Sequence, residues 1–300
     1  MTWEAVARKD FEDASRSRWL WALSALFAIL IGGSAYIFAT SSQDPSGLST
    51  DQFLPLFGQV GALMIPLVAI VVAYNSVIGE RDSGTMKLLL ALPHSRLDVV
   101  LGKTVGRSAV VALPVLAGFA LGAVVFLATG VSFAFGNYLA FAALTAILGA
   151  IFVTIAVGFS AGAASSRRAV VGAVGTYFMF SLFWTYVRRG AISLISEAGK
   201  RIPGMSEPAA ESLVSVSLAA KFLNPVRAYE TLAASLYAQD QIAARLYGTS
   251  NPFLRQMARQ AIGEDVPVYL SDPVVALVLV AWLVVPLALG YLTFQEMDLT

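Results

Sequence analysis

Residues 138–164 read YLAFAALTAILGAIFVTIAVGFSAGAA, 27 positions without an Asp, Glu, Lys or Arg. A helix rises about 1.5 Å per residue and the hydrocarbon core of a bilayer is about 30 Å thick, so a run of about 20 apolar residues spans it. A helix also satisfies its own backbone polar groups, which lipid cannot do. The stretch is read as a membrane crossing. Working outward, five more runs qualify: Trp19 to Ala39, Leu54 to Val77, Val105 to Ala128, Ala169 to Val187, and Pro273 to Phe294. The composition agrees, with 57% hydrophobic and 13% charged residues, against about 25% charged in soluble domains. The expected fold class is an all-α integral membrane protein with six transmembrane helices, residues 1–300 forming a single transmembrane domain.

The loops orient these spans. Arg8, Lys9, Arg16 and Arg18 precede the first; Arg81, Lys87, Arg96 and Lys103 follow the second; Arg167 and Arg168 lie between the fourth and fifth. The connections Thr40 to Phe53 and Thr129 to Asn137 carry no Lys or Arg. Positive-inside then places both termini in the cytoplasm of a multi-pass cell-membrane protein. Residues 188–272 fall on the outer face; their nine basic residues carry little weight, because long loops translocate largely regardless of charge. Leu213 to Leu223 and Ala228 to Leu236 are interrupted by Lys221, Arg227 and Glu230, and are read as interfacial or packed helices, with a re-entrant hairpin as the alternative. The first span is too long for the core of a secretory signal and is read as retained. Ahead of it, Trp3, Val6, Ala7, Phe11 and Ala14 recur at helical spacing, so residues 1–18 are expected to form an amphipathic elbow helix on the inner membrane surface.

Two motifs resemble catalytic ones. Gly158-Phe159-Ser160-Ala161-Gly162 fits the nucleophile elbow of serine hydrolases, which needs a strand-turn-helix setting and His and acidic partners. It lies inside a span, where Gly158 and Gly162, four apart on one face, favour close helix packing. Gly102-Lys103-Thr104 resembles the end of a phosphate-binding loop, but Leu97 stands where the first glycine belongs. Lys103 is read as a positive-inside anchor. No catalytic, cofactor-binding or metal-ligating residues are assigned. The absence of cysteine and the single histidine, His94, leave no thiolate or multi-histidine metal site. A net charge of +1 offers no attraction to nucleic acid. The spans hold no carboxylate or histidine chain for ion coupling.

The most informative stretch is cytoplasmic, residues 79–98: GERDSGTMKLLLALPHSRLD. Gly84 permits a turn that a side chain resists, and Thr85 is placed to cap a short helix with an apolar face of Met86, Leu88, Leu89 and Leu92. Pro93 ends it. Ser95 and Asp98 form a capping-box-like start from which the third span grows. A short amphipathic helix held near a membrane cannot bury its leucines alone, so it lies on lipid or docks into another protein.

Here the sequence resembles the permease subunits of type-2 ABC transporters. The family's pattern of acidic-Arg-acidic, Gly-Thr, leucine run, Pro and Ser-Arg is matched by Glu80-Arg81-Asp82, Gly84-Thr85, Leu88-Leu89-Leu90, Pro93 and Ser95-Arg96. Arg8-Lys9-Asp10 and Leu223-Asn224-Pro225 also look like family features. The nearest flavour is similar to permeases linked to nitrous-oxide-reductase maturation. Met86, Lys87 and His94 depart from the common pattern. Copper handling calls for clustered Met, His or Cys on the outer side, where only Met205 and Met257 stand, so copper is not assigned.

The resemblance implies a coupling element. A separate ATPase subunit would bind ATP and Mg and move the 79–98 segment, with Glu80, Arg81, Gly84, Thr85, Leu88, Leu89, Pro93 and Arg96 as the coupling residues. Arg81, Lys87 and Arg96 would pair with acids on that ATPase or with anionic lipid. A second permease chain, identical or related, completes the expected assembly, and export is the implied direction. A membrane-embedded enzyme and an ion-coupled carrier are the alternatives.

Overall fold

The computed structural model describes residues 3–16, 18–86, 95–201, 210–238, 240–246, 256, 259–260 and 266–296. Among these the protein is all helical, apart from an isolated bridge between Ser49 and Ser132. Among the described residues, six helices are long and apolar enough to cross a membrane: Leu20–Ala39, Thr50–Asp82, Arg96–Thr129, Phe135–Gly162, Ser166–Ile195 and Asp272–Gln295.

The chain forms two compact units, Met1–Tyr177 with Ala281–Thr300, and Phe178–Val280. In the first, helix α1 (Trp3–Ser15) precedes the first span. That span is built from α2 (Arg18–Phe27), a π-turn at Ala28–Gly33 and α3 (Ser34–Ala39). The second span is α4 (Thr50–Ala73), then a turn and the short α5 (Ile78–Asp82). The third is α6 (Arg96–Thr129) and the fourth α7 (Phe135–Gly162). The fifth begins in this unit as α8 (Ser166–Phe178) and continues in the Phe178–Val280 unit as a π-turn at Met179–Phe183 and α9 (Trp184–Arg201).

Several limits differ from the hydropathy reading, for local reasons. The second span begins at Thr50 rather than Leu54, because Ser49 and Gln52 form a capping box there. The third begins nine residues before Val105, capped by Ser95 and Asp98. Its charged first turns lower the hydropathy without ending the helix. The fifth runs past Val187 because Arg188 and Arg189 continue the helix.

Three of these helices, α4, α6 and α7, pack together through aromatic rings. Phe53, Phe57, Phe119, Phe126, Tyr138 and Phe141 lie buried. Their rings meet mostly edge to face, as in the Phe57–Phe119 pair at 5.3 Å and the Phe126–Tyr138 pair at 6.0 Å. The Tyr138 hydroxyl is spent on the Phe119 carbonyl at 2.7 Å. At the same end the loops cross-bond, Thr50 N–H to the Ser132 carbonyl at 3.0 Å and Ser132 N–H to the Leu48 carbonyl at 2.9 Å.

Glycines on α6 set what lies against it. A Cβ on Gly118 would fall 2.8 Å from the Phe27 carbonyl oxygen of the first span. One on Gly102 would fall 2.8 Å from the Trp3 oxygen, and one on Gly106 2.9 Å from the Ala7 oxygen, both of α1. Helix α1 is therefore seated on protein along α6, where periodicity alone suggests a helix lying on lipid.

The Phe178–Val280 unit contains α10 (Ala210–Phe222), α11 (Pro225–Tyr237) and α12 (Gln241–Arg245). The last span, α13 (Asp272–Gln295), starts there and ends in the first unit. Asn224 joins α10 to α11: its side-chain oxygen accepts from Val226 N–H at 2.8 Å, and its amide donates to the Phe180 carbonyl at 2.7 Å.

Candidate coupling site

Helix α5 is five residues long, too short to persist alone, and is held from four directions. Its first N–H groups have no intrahelical acceptor. Ser160 Oγ of α7 accepts from Val77 N–H at 3.1 Å and Ile78 N–H at 3.0 Å. Ser160 is completely buried, so the residue in the nucleophile-elbow pattern is a helix cap. The two glycines around it pack as expected: a Cβ on Gly158 would meet the Pro286 carbonyl oxygen at 2.5 Å, and one on Gly162 the Thr293 hydroxyl at 2.5 Å.

The other three holds are charged. Arg81 donates to the Ala163 carbonyl, just beyond α7. Ser166, at the start of α8, donates to Asp82. Glu80 is paired with Lys103 of α6.

Lys103 is the centre of a larger cluster. It is 6% exposed, and its ammonium also donates to Asp10 Oδ1 of α1 at 2.8 Å. Asp10, 3% exposed, is further paired with Arg107, whose Nε lies 2.9 Å from Oδ2. Arg107 reaches the Val72 carbonyl in the last turn of α4 at 3.3 Å. Two acids and two bases from α1, α5 and α6 thus neutralise one another, Asp10 and Lys103 buried at the centre and Glu80 and Arg107 partly exposed at its edge. Burial of charge is tolerable only with such pairing. Lys103 is therefore an internal ion-pair hub, where the sequence suggests an anchor toward the membrane surface.

Arg81, Arg96 and Arg107 share one role. Each places its guanidinium on carbonyls at the C-terminal end of a long helix, where helices leave acceptors unpaired and carry partial negative charge. Arg81 takes the end of α7, Arg107 that of α4, and Arg96 that of α13 through the Phe294 and Gln295 carbonyls. Arg96 also lies over the Phe294 ring, 5.3 Å from its centroid. Arg81 and Arg96, offered by the sequence as partners for acids on another chain, are engaged within this one.

The remaining sequence-predicted residues divide by position. Gly84 has φ +76°, and its N–H donates to the Arg81 carbonyl at 3.0 Å. No atom stands within 4 Å of where its Cβ would be, so the backbone angle alone calls for glycine. The Thr85 hydroxyl donates back to the Glu80 carbonyl at 3.2 Å. Met86 is buried. Leu88, Leu89 and Pro93, with Lys87 and His94, lie outside the described residues. Ser95 and Asp98 form the reciprocal cap at 3.1 and 2.9 Å.

The structure brings Glu80 together with three residues that the sequence pattern did not assign to the site, Asp10, Lys103 and Arg107, while Arg81 and Arg96 hold the ends of α7 and α13. One signal for Asp10 is visible in the sequence. It lies three and four residues after Ala7 and Val6, an acid on the apolar stripe.

Comparison with known proteins agrees with this architecture. The family profile described as ABC-2 family transporter protein matches residues 4–299. The "Probable ABC transporter permease protein NosY" of Stutzerimonas stutzeri is 32% identical over 299 residues, covering 97% of each chain. The protein of that name from Pseudomonas aeruginosa is 32% identical over 183 residues, 60% of this chain and 66% of its own. With helices as the regular structure of its described residues, six candidate spans among them and a match along nearly its whole length, the chain belongs to the ABC-2 family of transporter proteins, as a membrane-spanning permease subunit whose family implies an ATPase partner.

Proposed function

We propose that this chain couples ATP hydrolysis by a separate ATPase subunit to export of a substrate, and that residues 79–98 are its contact with that ATPase. The observation that carries the reading is the fixing of α5 by Ser160, Lys103, Arg81 and Ser166. A helix bolted to the ends of several spans transmits rigid-body motion, which a free loop does not. Beyond Gly84 the sequence continues with the apolar run Leu88 to Leu92, which this reading docks on the ATPase. ATP and Mg are bound by the ATPase in this reading. Both termini and the 79–98 segment face the cytoplasm, in keeping with the loop charges. Two permease chains act together. In support, the apolar windows of the fifth and sixth spans are each 17% buried within the chain, against 67% for the fourth.

The test is co-purification in mild detergent with the co-expressed ATPase, followed by Leu88→Asp and Leu89→Asp. These variants are expected to insert normally and to lose at least ten-fold of the ATPase retained on the permease. A wild-type chain that purifies without any ATPase, or leucine variants that retain it fully, would sink the assignment.

A further inference from the structure

Helix α1 meets α6 at backbone distance. Beyond the 2.8 and 2.9 Å approaches of the Trp3 and Ala7 carbonyls, a Cβ on Gly102 would lie 2.5 Å from Val6 Cβ and one on Gly106 3.0 Å from Asp10 Cβ. Gly102 and Gly106 are four apart, so they form a single groove on one face of α6. Lys103 and Arg107, the residues following each, close over Asp10 from that face. Neighbouring helices that approach this closely have no room to slide without lifting apart. The ion pairs oppose lifting, because separation would leave Asp10 uncompensated. Glu80 joins the same Lys103 from α5, with its side chain 24% exposed while that of Asp10 is 2% exposed. The ammonium is therefore held from a sealed side by α1 and from a more open side by the coupling segment.

We propose that α1, α5 and the first turns of α6 form one transmission block. Lys103 acts in it as the positioning residue that passes motion of the 79–98 segment into the third span, and α1 is carried with it. The relay rests on the ATPase-coupling reading above; the docking of α1 does not.

The absence of cysteine makes two experiments clean. In the first, Val6→Cys, at a position buried against α6, is treated with a membrane-permeant maleimide in membranes without any ATPase, beside Lys9→Cys at an exposed position of α1. Val6→Cys is expected to label at least ten-fold more slowly than Lys9→Cys, and equal rates overturn the docking. The labelling is then repeated in the complex with the ATPase during ATP hydrolysis. The rate at Val6→Cys should stay within two-fold of its value without nucleotide, and a larger rise would mean that α1 parts from α6 during the cycle, and the block fails.

In the second, a fluorophore on Leu127→Cys, exposed at the far end of α6, reports nucleotide-driven movement in the complex. Lys103→Met should lose at least ten-fold of that response while the ATPase still co-purifies, and Lys103→Arg should keep it. A full response from Lys103→Met, or none from the wild-type background, overturns the relay. Failure of the wild-type chain to retain any ATPase instead strikes the function above and leaves the labelling result without ATPase standing.

Discussion

At the scale of single residues, Ser160 shows how chemistry follows surroundings rather than motif. Its oxygen accepts two backbone N–H groups and is completely buried, so alanine there leaves both donors unsatisfied. An unmade buried hydrogen bond costs about 1–3 kcal/mol. Ser160→Ala is expected to lower the midpoint of thermal unfolding in detergent, while Ser193→Ala, at an exposed position bonded only within its own helix, leaves it unchanged. Equal midpoints for the two would remove Ser160 from its capping role. Legibility at this scale depends on range. Gly84 and the Ser95–Asp98 box are readable because their partners lie within three residues. Ser160 caps residues 82 and 83 positions away, and Lys103 pairs 93 positions away. No local pattern encodes those distances. Lys103 and Arg107, four apart inside a helix already started at Ser95, do predict one charged face in need of acids.

Elements were readable as helices and less so in their limits and company. Hydropathy ends a span where charge begins, but α6 carries Arg96, Asp98, Lys103 and Arg107 inside its first turns because caps and neighbouring helices satisfy them. The π-turns at Ala28–Gly33 and Met179–Phe183 add one residue to a turn without changing composition, so nothing in the sequence marks them. Packing of α10, α11 and α12 was likewise hidden, because it runs through buried cations. At the end of α10, Lys221 donates to the Arg245 carbonyl of α12 at 2.9 Å. Arg245 bonds Ser235 of α11 at 3.1 Å and Asp272 at 2.8 Å. Desolvation pushes the Lys221 ammonium down to about 7, with Arg227, Arg188 and Arg245 acting in the same direction and Glu230 against it. Between that value and the ordinary 10.5 of lysine, the unfolded chain binds a proton that the folded one does not. Stability of these helices therefore rises with pH across that window and is flat below it. Amide exchange in α10 to α12, corrected for its intrinsic rate, should be slower at pH 9 than at pH 7. Lys221→Met should abolish the difference. Identical corrected rates for the wild type would contradict a buried, easily deprotonated lysine.

For the whole molecule, a hydropathy profile counts crossings but does not choose neighbours, because lipid tails are as apolar as the side chains of another helix. The family match and the six spans define a membrane permease, while its faces differ in what they need. The fourth span is largely enclosed by its own chain, whereas the fifth and sixth leave most of their apolar surface uncovered. Leu277, Val284 and Leu289 are 65%, 56% and 59% exposed, in contrast to Phe152 at 0%. If a second permease chain covers part of that surface, cysteines placed singly at these exposed positions will meet their symmetry mates or near neighbours in a two-fold pair. Oxidation in native membranes should then give a product of twice the chain mass for at least one exposed position along the fifth or sixth span, and none for Phe152→Cys. The cysteine-free background makes each band attributable to one site. A scan of both spans that yields only single chains would assign these faces to lipid and move the partner permease elsewhere on the surface.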